Sequence, residues 1–148
     1  MLDRIDHSIL SELQANARIT LTELSSRVGI SKTPCQVRMR RLEQDGYIIN
    51  YTARINYTRL GNAHIAFVQV KLSDTRTRAL KAFNEAVQGI AEIEQCHMIA
   101  GSFDYLLKVR TADITSYREV LGERISTLPG VTHTSTFVAM EAVKDSGV

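Results

Sequence analysis

"SKTPCQVRMRRLEQDG", residues 31–46, sets four cations, Lys32, Arg38, Arg40 and Arg41, within ten residues of a 148-residue chain whose formal net charge is +2. In the same stretch Cys35, Met39 and Leu42 recur at i, i+4 and i+7, so a helix here has one apolar side. Ser31 is placed to cap it, Pro34 is tolerated in its first turn, and Gly46 ends it. At 100° per residue, Thr33, Val37, Arg40 and Gln44 fall nearly opposite the apolar side, with Gln36, Arg38 and Arg41 on the flanks. Such a helix buries one side and offers hydroxyl, amide and guanidinium groups on the other.

The preceding residues supply what that helix packs against. From Asp3 to Asn16, Ile5, Ile9, Leu10 and Leu13 lie at helical spacing behind an aspartate able to cap. Thr20 and Glu23 have capping-box spacing, Leu21, Leu24 and Val28 form a short apolar stripe, and Gly29 supplies a stop. Only Gly29 to Ser31 separate the second helix from the third. A short helix, a tight glycine-containing turn and a longer basic helix is the order of a helix-turn-helix, whose second helix enters the DNA major groove. Gln pairs with adenine and Arg with guanine, so Lys32, Thr33, Gln36, Val37, Arg38, Arg40 and Arg41 are the candidate DNA contacts. The alternative is a solvated face whose arginines make i, i+4 contacts or none. After Gly46, YIINYTARIN reads as a short hairpin or wing with Arg54 at its tip, where it touches backbone phosphate or is simply an exposed loop charge.

Composition agrees with an ordinary globular chain: 44% of residues are apolar and 23% charged. Residues 1–60 carry nine Lys and Arg against six Asp and Glu, whereas residues 61–148 carry nine against ten. A phosphate-binding surface needs a local cluster of positive charge more than a high total. No signal peptide or membrane span is expected, because apolar runs are short and MLDRIDHSIL has no basic n-region. Cys35 and Cys96 lie far apart without paired spacing, which supports neither a disulfide framework nor a zinc site and fits a reducing cytoplasm. His7, His64, His97 and His133 lack metal-ligand spacing, and no nucleophile elbow, P-loop or dinucleotide glycine pattern is present.

The second half repeats one pattern. AHIAFVQVKL (63–72) reads as a mostly buried strand, residues 75–91 set Leu80, Phe83, Val87 and Ile90 at helical spacing, and 93–100 return to strand character. YLLKVR (105–110) is a further strand, and Asp113 caps a helix carrying Ile114, Tyr117, Leu121, Ile125 and Leu128. Pro129 and Gly130 stop that helix, and 131–143 is a final strand. The predicted class is therefore α+β, with an N-terminal winged helix-turn-helix (1–50), a wing or linker (51–62) and a C-terminal ferredoxin-like βαββαβ domain (63–148). Both helices cover one face of a four-stranded sheet, and the open face predicts burial against a second copy, hence a homodimer.

"LDRIDHSILSELQANARIT", "ELSSRVGISKTPCQVRMRRLEQDGYI", "AGSFDYLLKVR", the LPGV at 128–131 and the TFVAMEAVK at 136–144 resemble, in order, the leucine-responsive regulatory protein and asparagine regulator family of prokaryotic transcription factors. The resemblance covers nearly the whole chain. It implies a double-stranded-DNA-binding regulator of amino-acid metabolism, an amino-acid-sensing C-terminal domain, dimers assembling into octamers or related rings, and an effector bound between dimers. No other cofactor is implied.

In GSFD, residues 101–104, Gly101 permits backbone N–H groups to approach a carboxylate, Ser102 offers a hydroxyl, and Asp104 is able to pair with an α-ammonium; a plain tight turn is the competing reading. The resemblance implies that this loop and the last strand line the effector pocket, at positions matching Gly101, Ser102, Asp104, Thr134 and Thr136. Many members carry Asp where Ser102 stands, which leaves the ligand open, with leucine, proline or another small apolar amino acid as first choice. Two other classes are weighed. Some haem-pathway decarboxylases resemble this fold, but an enzyme of that kind would have lost the basic third helix. A purely architectural DNA protein would lack an amino-acid-sized polar pocket between dimers.

Overall fold

The computed structural model describes residues 1–146 and divides into two compact units, one from Met1 to Arg54 and one from Ile55 onward. In the first unit, α1 (Arg4–Ala15) begins in a complete capping box: the Asp3 carboxylate accepts from Asp6 N–H at 2.8 Å and the Asp6 carboxylate from Asp3 N–H at 3.1 Å. α2 (Leu21–Val28) starts at Thr20, whose hydroxyl accepts from Glu23 N–H at 3.1 Å. Glu23 turns its own carboxylate to Arg27 one turn on, so the expected return half of that box is not formed. Gly29 closes α2 in the left-handed region at φ +77°, where a side chain is strained. α3 (Lys32–Gln44) follows; Ser31 occupies its N-cap position, but its hydroxyl makes no capping bond.

These three helices enclose a small core of Ile9, Leu13, Leu24, Cys35 and Leu42, with Met39 and Ile48 packed on its rim. Each fully buried aliphatic side chain contributes about 1.5–3 kcal/mol. The hairpin expected over YIINYTARIN is not formed. Tyr47 and Ile48 N–H groups both close back on Leu42 O, and no strand occurs between residues 47 and 63. β-prone side chains alone do not make a hairpin, because an isolated pair of strands is marginal in water.

The second unit has the expected βαββαβ order: β1 (His64–Leu72), α4 (Thr77–Val87), β2 (Ile93–Met98), β3 (Tyr105–Thr111), α5 (Ile114–Val120) and β4 (Val131–Val138). The sheet order is β2-β3-β1-β4 with every neighbouring pair antiparallel. Alternate residues Ala66, Val68, Val70 and Leu72 of β1 and Tyr105, Leu107 and Val109 of β3 face the helices. They are buried against Phe83, Val87, Tyr117 and Ile125.

Several boundaries differ from the periodicity. α4 covers 77–87 rather than 75–91, since Asp74 holds Arg76 N–H at 2.9 Å ahead of it and Ile90 reaches the core from beyond its end. The second apolar stripe is not one regular helix: α5 widens into a π-helical turn (Leu121–Ile125), closed by Ser126 N–H on Leu121 O at 2.8 Å, which brings Ile125 fully into the core. β4 ends at Val138 rather than at 143, because its partner β1 begins at His64 and Ala139 N–H makes the last bond, to Ile65 O. β2 stops at Met98, where Ile99 N–H bonds Asp104 O at 2.8 Å. Positions 147 and 148 of the expected second domain lie outside the described residues.

Candidate functional site

With Cys35 and Leu42 buried, rotation about the α3 axis leaves Lys32, Thr33, Gln36, Val37 and Arg40 exposed on one side. Val37 is 60% exposed although apolar. Neither Lys32 nor Arg40 makes an ion pair among the described residues. Arg54 is exposed at the end of the first unit.

Arg38 and Arg41, on the flank, are placed differently from the other candidates. Arg38 Nη1 lies 2.7 Å from Asp3 Oδ2 and 2.9 Å from Asp6 Oδ1, and Arg41 Nη2 bonds Asp6 Oδ2. Asp6 is only 1% exposed. Burial pushes its carboxyl up, but the Asp3 N–H bond and the two guanidiniums outweigh that and hold it below the ordinary carboxylate range. Asp3, with the Asp6 N–H bond first and Arg38 second, is lowered to about 2. Sequence reasoning took Asp3 only as a cap and passed over Asp6. The available signal was the matched spacing, two carboxylates three residues apart at the N-cap and first turn of α1 and two arginines three residues apart on α3.

In the second unit Gly101, Ser102, Asp104 and Thr134 fall toward one end of the sheet, whereas Thr136 lies opposite Val68 at the middle of β1. Tyr105 and Thr134 pair with Val70 from opposite sides, so the GSFD loop and Thr134 flank the end of β1 on neighbouring strands. Asp104 is half-buried; its Oδ2 accepts from Leu72 N–H at 2.7 Å and its backbone N–H donates to Val70 O. Gly101 and Ser102 are exposed, and Gly101 does not adopt a positive φ. Thr136 stands one step further along β4, its hydroxyl bonded to that of buried Tyr117, whose hydroxyl burial pushes up in pKa.

A cavity of about 490 Å³ opens at the opposite end of β3, lined by Tyr57, Glu92, Glu94, Arg110, Ser116 and Glu119. None of the expected effector residues lines it. Its charges are largely matched internally: Arg110 pairs with Glu94 at 2.8 Å and stacks 4.1 Å above the Tyr57 ring, and Glu92 pairs with Arg124. Among the described residues no helix is long and apolar enough to cross a membrane.

Comparison with known proteins agrees with both units. Residues 2–49 match the winged helix-turn-helix DNA-binding family and residues 65–148 the Lrp/AsnC ligand binding domain. The chain is 58% identical over 147 residues to a proline dehydrogenase transcriptional activator of Rhizobium radiobacter, covering 99% of this chain and 94% of the relative. It is 50% identical over 145 residues to the leucine-responsive regulatory protein of Escherichia coli K12, covering 98% and 88%. Among solved structures, a transcriptional regulator of Neisseria meningitidis in complex with L-Met superposes with a TM-score of 0.93 at 28% identity over 99% of this chain and 95% of that one. A feast or famine regulatory protein of Mycobacterium tuberculosis complexed with L-methionine superposes at 0.88 with 33% identity, covering 100% and 98%. An N-terminal DNA-binding helix-turn-helix followed by this ligand-binding domain over nearly the full length of such relatives places the chain in the Lrp/AsnC family of DNA-binding transcription regulators.

Proposed function

We propose that the chain reads operator DNA with the exposed side of α3, Thr33, Gln36, Val37 and Arg40 toward base edges and Lys32 toward phosphate, and that a free amino acid modulates it through the second unit. The observation that carries the DNA reading is the two-sidedness of α3: a buried Cys35 and Leu42 side against an exposed polar and cationic side. Arg38, Arg41 and Arg54 lie beside that surface in sequence, the first two with their charge already engaged.

The effector site we propose comprises Gly101, Ser102, Asp104, Thr134 and Thr136. Asp104 commits Oδ2 to Leu72 N–H, and its second carboxylate oxygen is the partner for an α-ammonium, while the loop backbone meets the carboxylate. Relatives named for proline dehydrogenase activation and leucine response support a small apolar amino acid, with proline and leucine the first to test, and the L-methionine complexes of structural neighbours add methionine. One chain supplies only one wall of such a site, the other coming from a neighbouring dimer. The sheet face away from the helices carries Ile65, Phe67, Leu106 and Phe137, with Phe67 and Phe137 still exposed, which supports burial against a second copy and higher assembly, up to an octamer. This reading places the protein in the cytoplasm and gives it no catalytic step.

A thermal-shift screen of the twenty amino acids tests the effector reading. A ligand at about 100 times its Kd stabilises the native state by about 2.7 kcal/mol, which raises Tm by roughly 5–10 °C in a chain of this size. No shift with any amino acid would remove the effector from the account.

A further inference from the structure

α3 carries four cations, yet two of them, half-buried Arg38 and exposed Arg41, already have their guanidiniums engaged by carboxylates of the same unit. Arg38 and Arg41 lie three residues apart on the flank that faces α1, and both guanidiniums end on Asp6, with Asp3 as a second acceptor for Arg38. Asp6 uses both oxygens: Oδ1 takes Arg38, and Oδ2 takes Arg41 and the Asp3 N–H. A carboxylate this deeply buried is tolerated only because its acceptor sites are filled this completely. Two consequences follow. The rotation of α3 about its own axis is fixed by a charged clamp at two successive turns, and half of the helix's positive charge is cancelled before DNA arrives.

Sequence-independent DNA binding grows with each phosphate neutralised, whereas base readout depends on which side of the helix faces the groove. We propose that Asp6 is a specificity-determining positioning residue. By holding Arg38 and Arg41 against α1 it withholds them from phosphate, and by fixing α3 it keeps Thr33, Gln36, Val37 and Arg40 toward the bases. This rests on the reading that the exposed side of α3 docks in the groove, which the test below separates from the role of Asp6.

The test uses the full chain and two duplexes, an operator selected from a random pool and an unrelated sequence, with affinity measured by fluorescence anisotropy across a salt series. Asp6→Asn should bind unrelated DNA more tightly, with a salt slope steeper by about 0.9 as Arg41 is released, while Arg38 keeps its Asp3 partner. Its ratio of operator to unrelated affinity should fall. The triple variant Asp6→Asn, Arg38→Gln, Arg41→Gln should return the slope to the wild-type value. A purely structural role for Asp6 would weaken binding to both duplexes without steepening the slope, and that result overturns the proposal. If Asp6→Asn does not fold by circular dichroism, Arg41→Gln decides: an unchanged slope on unrelated DNA supports the clamp, and a slope shallower by about 0.9 shows Arg41 on phosphate and overturns it. Arg40→Gln tests the underlying reading alone; it should lose about 0.9 of slope or reduce operator discrimination, and if it does neither, the docked side of α3 is misassigned whatever Asp6 does.

Discussion

Replacing Asp104 separates the two roles that one carboxylate has in this account, since Oδ2 already holds the N–H of buried Leu72 at 2.7 Å while the remaining oxygen is assigned to an effector ammonium. Asp104→Ala removes the acceptor and leaves a buried N–H unpaired, which costs about 1–3 kcal/mol. At 2–4 °C per kcal/mol for a chain of this length, the expected loss is roughly 2–12 °C in Tm. Asp104→Asn keeps an oxygen for Leu72 N–H and gives up only the charge, so its cost without ligand should stay near 1 kcal/mol. The two variants should therefore differ in stability but share one defect: neither gains Tm from the amino acid that stabilises wild type. An effector shifts an assembly only by its differential affinity for two states, so operator binding without ligand should change little in Asp104→Asn while the response to ligand disappears. Differential scanning fluorimetry with and without ligand, alongside operator anisotropy, reads both quantities. Asp104→Asn with wild-type ligand affinity and a wild-type response would refute the ammonium assignment and leave Asp104 as a turn-closing acceptor.

Three further outcomes are expected. Phe67 and Phe137 pair directly across β1 and β4 on the open face, so Phe137→Glu should convert the proposed dimer to a monomer at micromolar concentration by light scattering; an unchanged mass would move the interface elsewhere. Gln36→Ala should lower discrimination between operator and random DNA by about 1–3 kcal/mol, and equal losses on both duplexes would place Gln36 on the backbone instead. Asp3, held to about 2 by the Asp6 N–H bond and Arg38, has a folded pKa below its unfolded value of about 3.9; its stabilisation is present above that value and is lost as pH falls through about 2. Amide protection in α1 and α3 should drop between pH 4 and pH 2 in wild type and be already reduced at pH 6 in Asp3→Asn, and the same acid profile in both would show that this cap carries no such linkage.

What was legible in the sequence is what local geometry decides. Asp3, Thr20 and Asp113 cap through i to i+3 bonds, and Gly29 ends α2 in a conformation that glycine alone adopts freely, so each reads directly from a few adjacent residues. The alternation in β1 and β3 likewise gave the strands and their buried side. The clamp on Asp6 was not legible as a contact, because its partners lie 32 and 35 residues away and a charge run reads equally well as a solvated face. The hairpin is not formed because YIINYT has strand propensity without a strand beside it, and strand propensity measures fit to a neighbour. The π-helical turn at 121–125 escaped for a related reason: Tyr117, Leu121 and Ile125 at i, i+4 and i+8 are equally compatible with a regular helix. In the candidate effector site the residue types were legible, but the bond from Leu72 N–H to Asp104 depends on the register of β1 against β3.

The central claim, a DNA-binding regulator whose grip on its operator changes with a free amino acid, is tested most directly by one titration. The full chain is titrated onto a fluorescent operator selected from a random pool, with each of the twenty L-amino acids at millimolar concentration in turn. The account predicts that at least one small apolar amino acid changes the operator Kd by roughly 5-fold or more, the lower end of allosteric coupling, and that Asp104→Asn abolishes the change. Twenty superimposable isotherms, with operator binding intact, would contradict it.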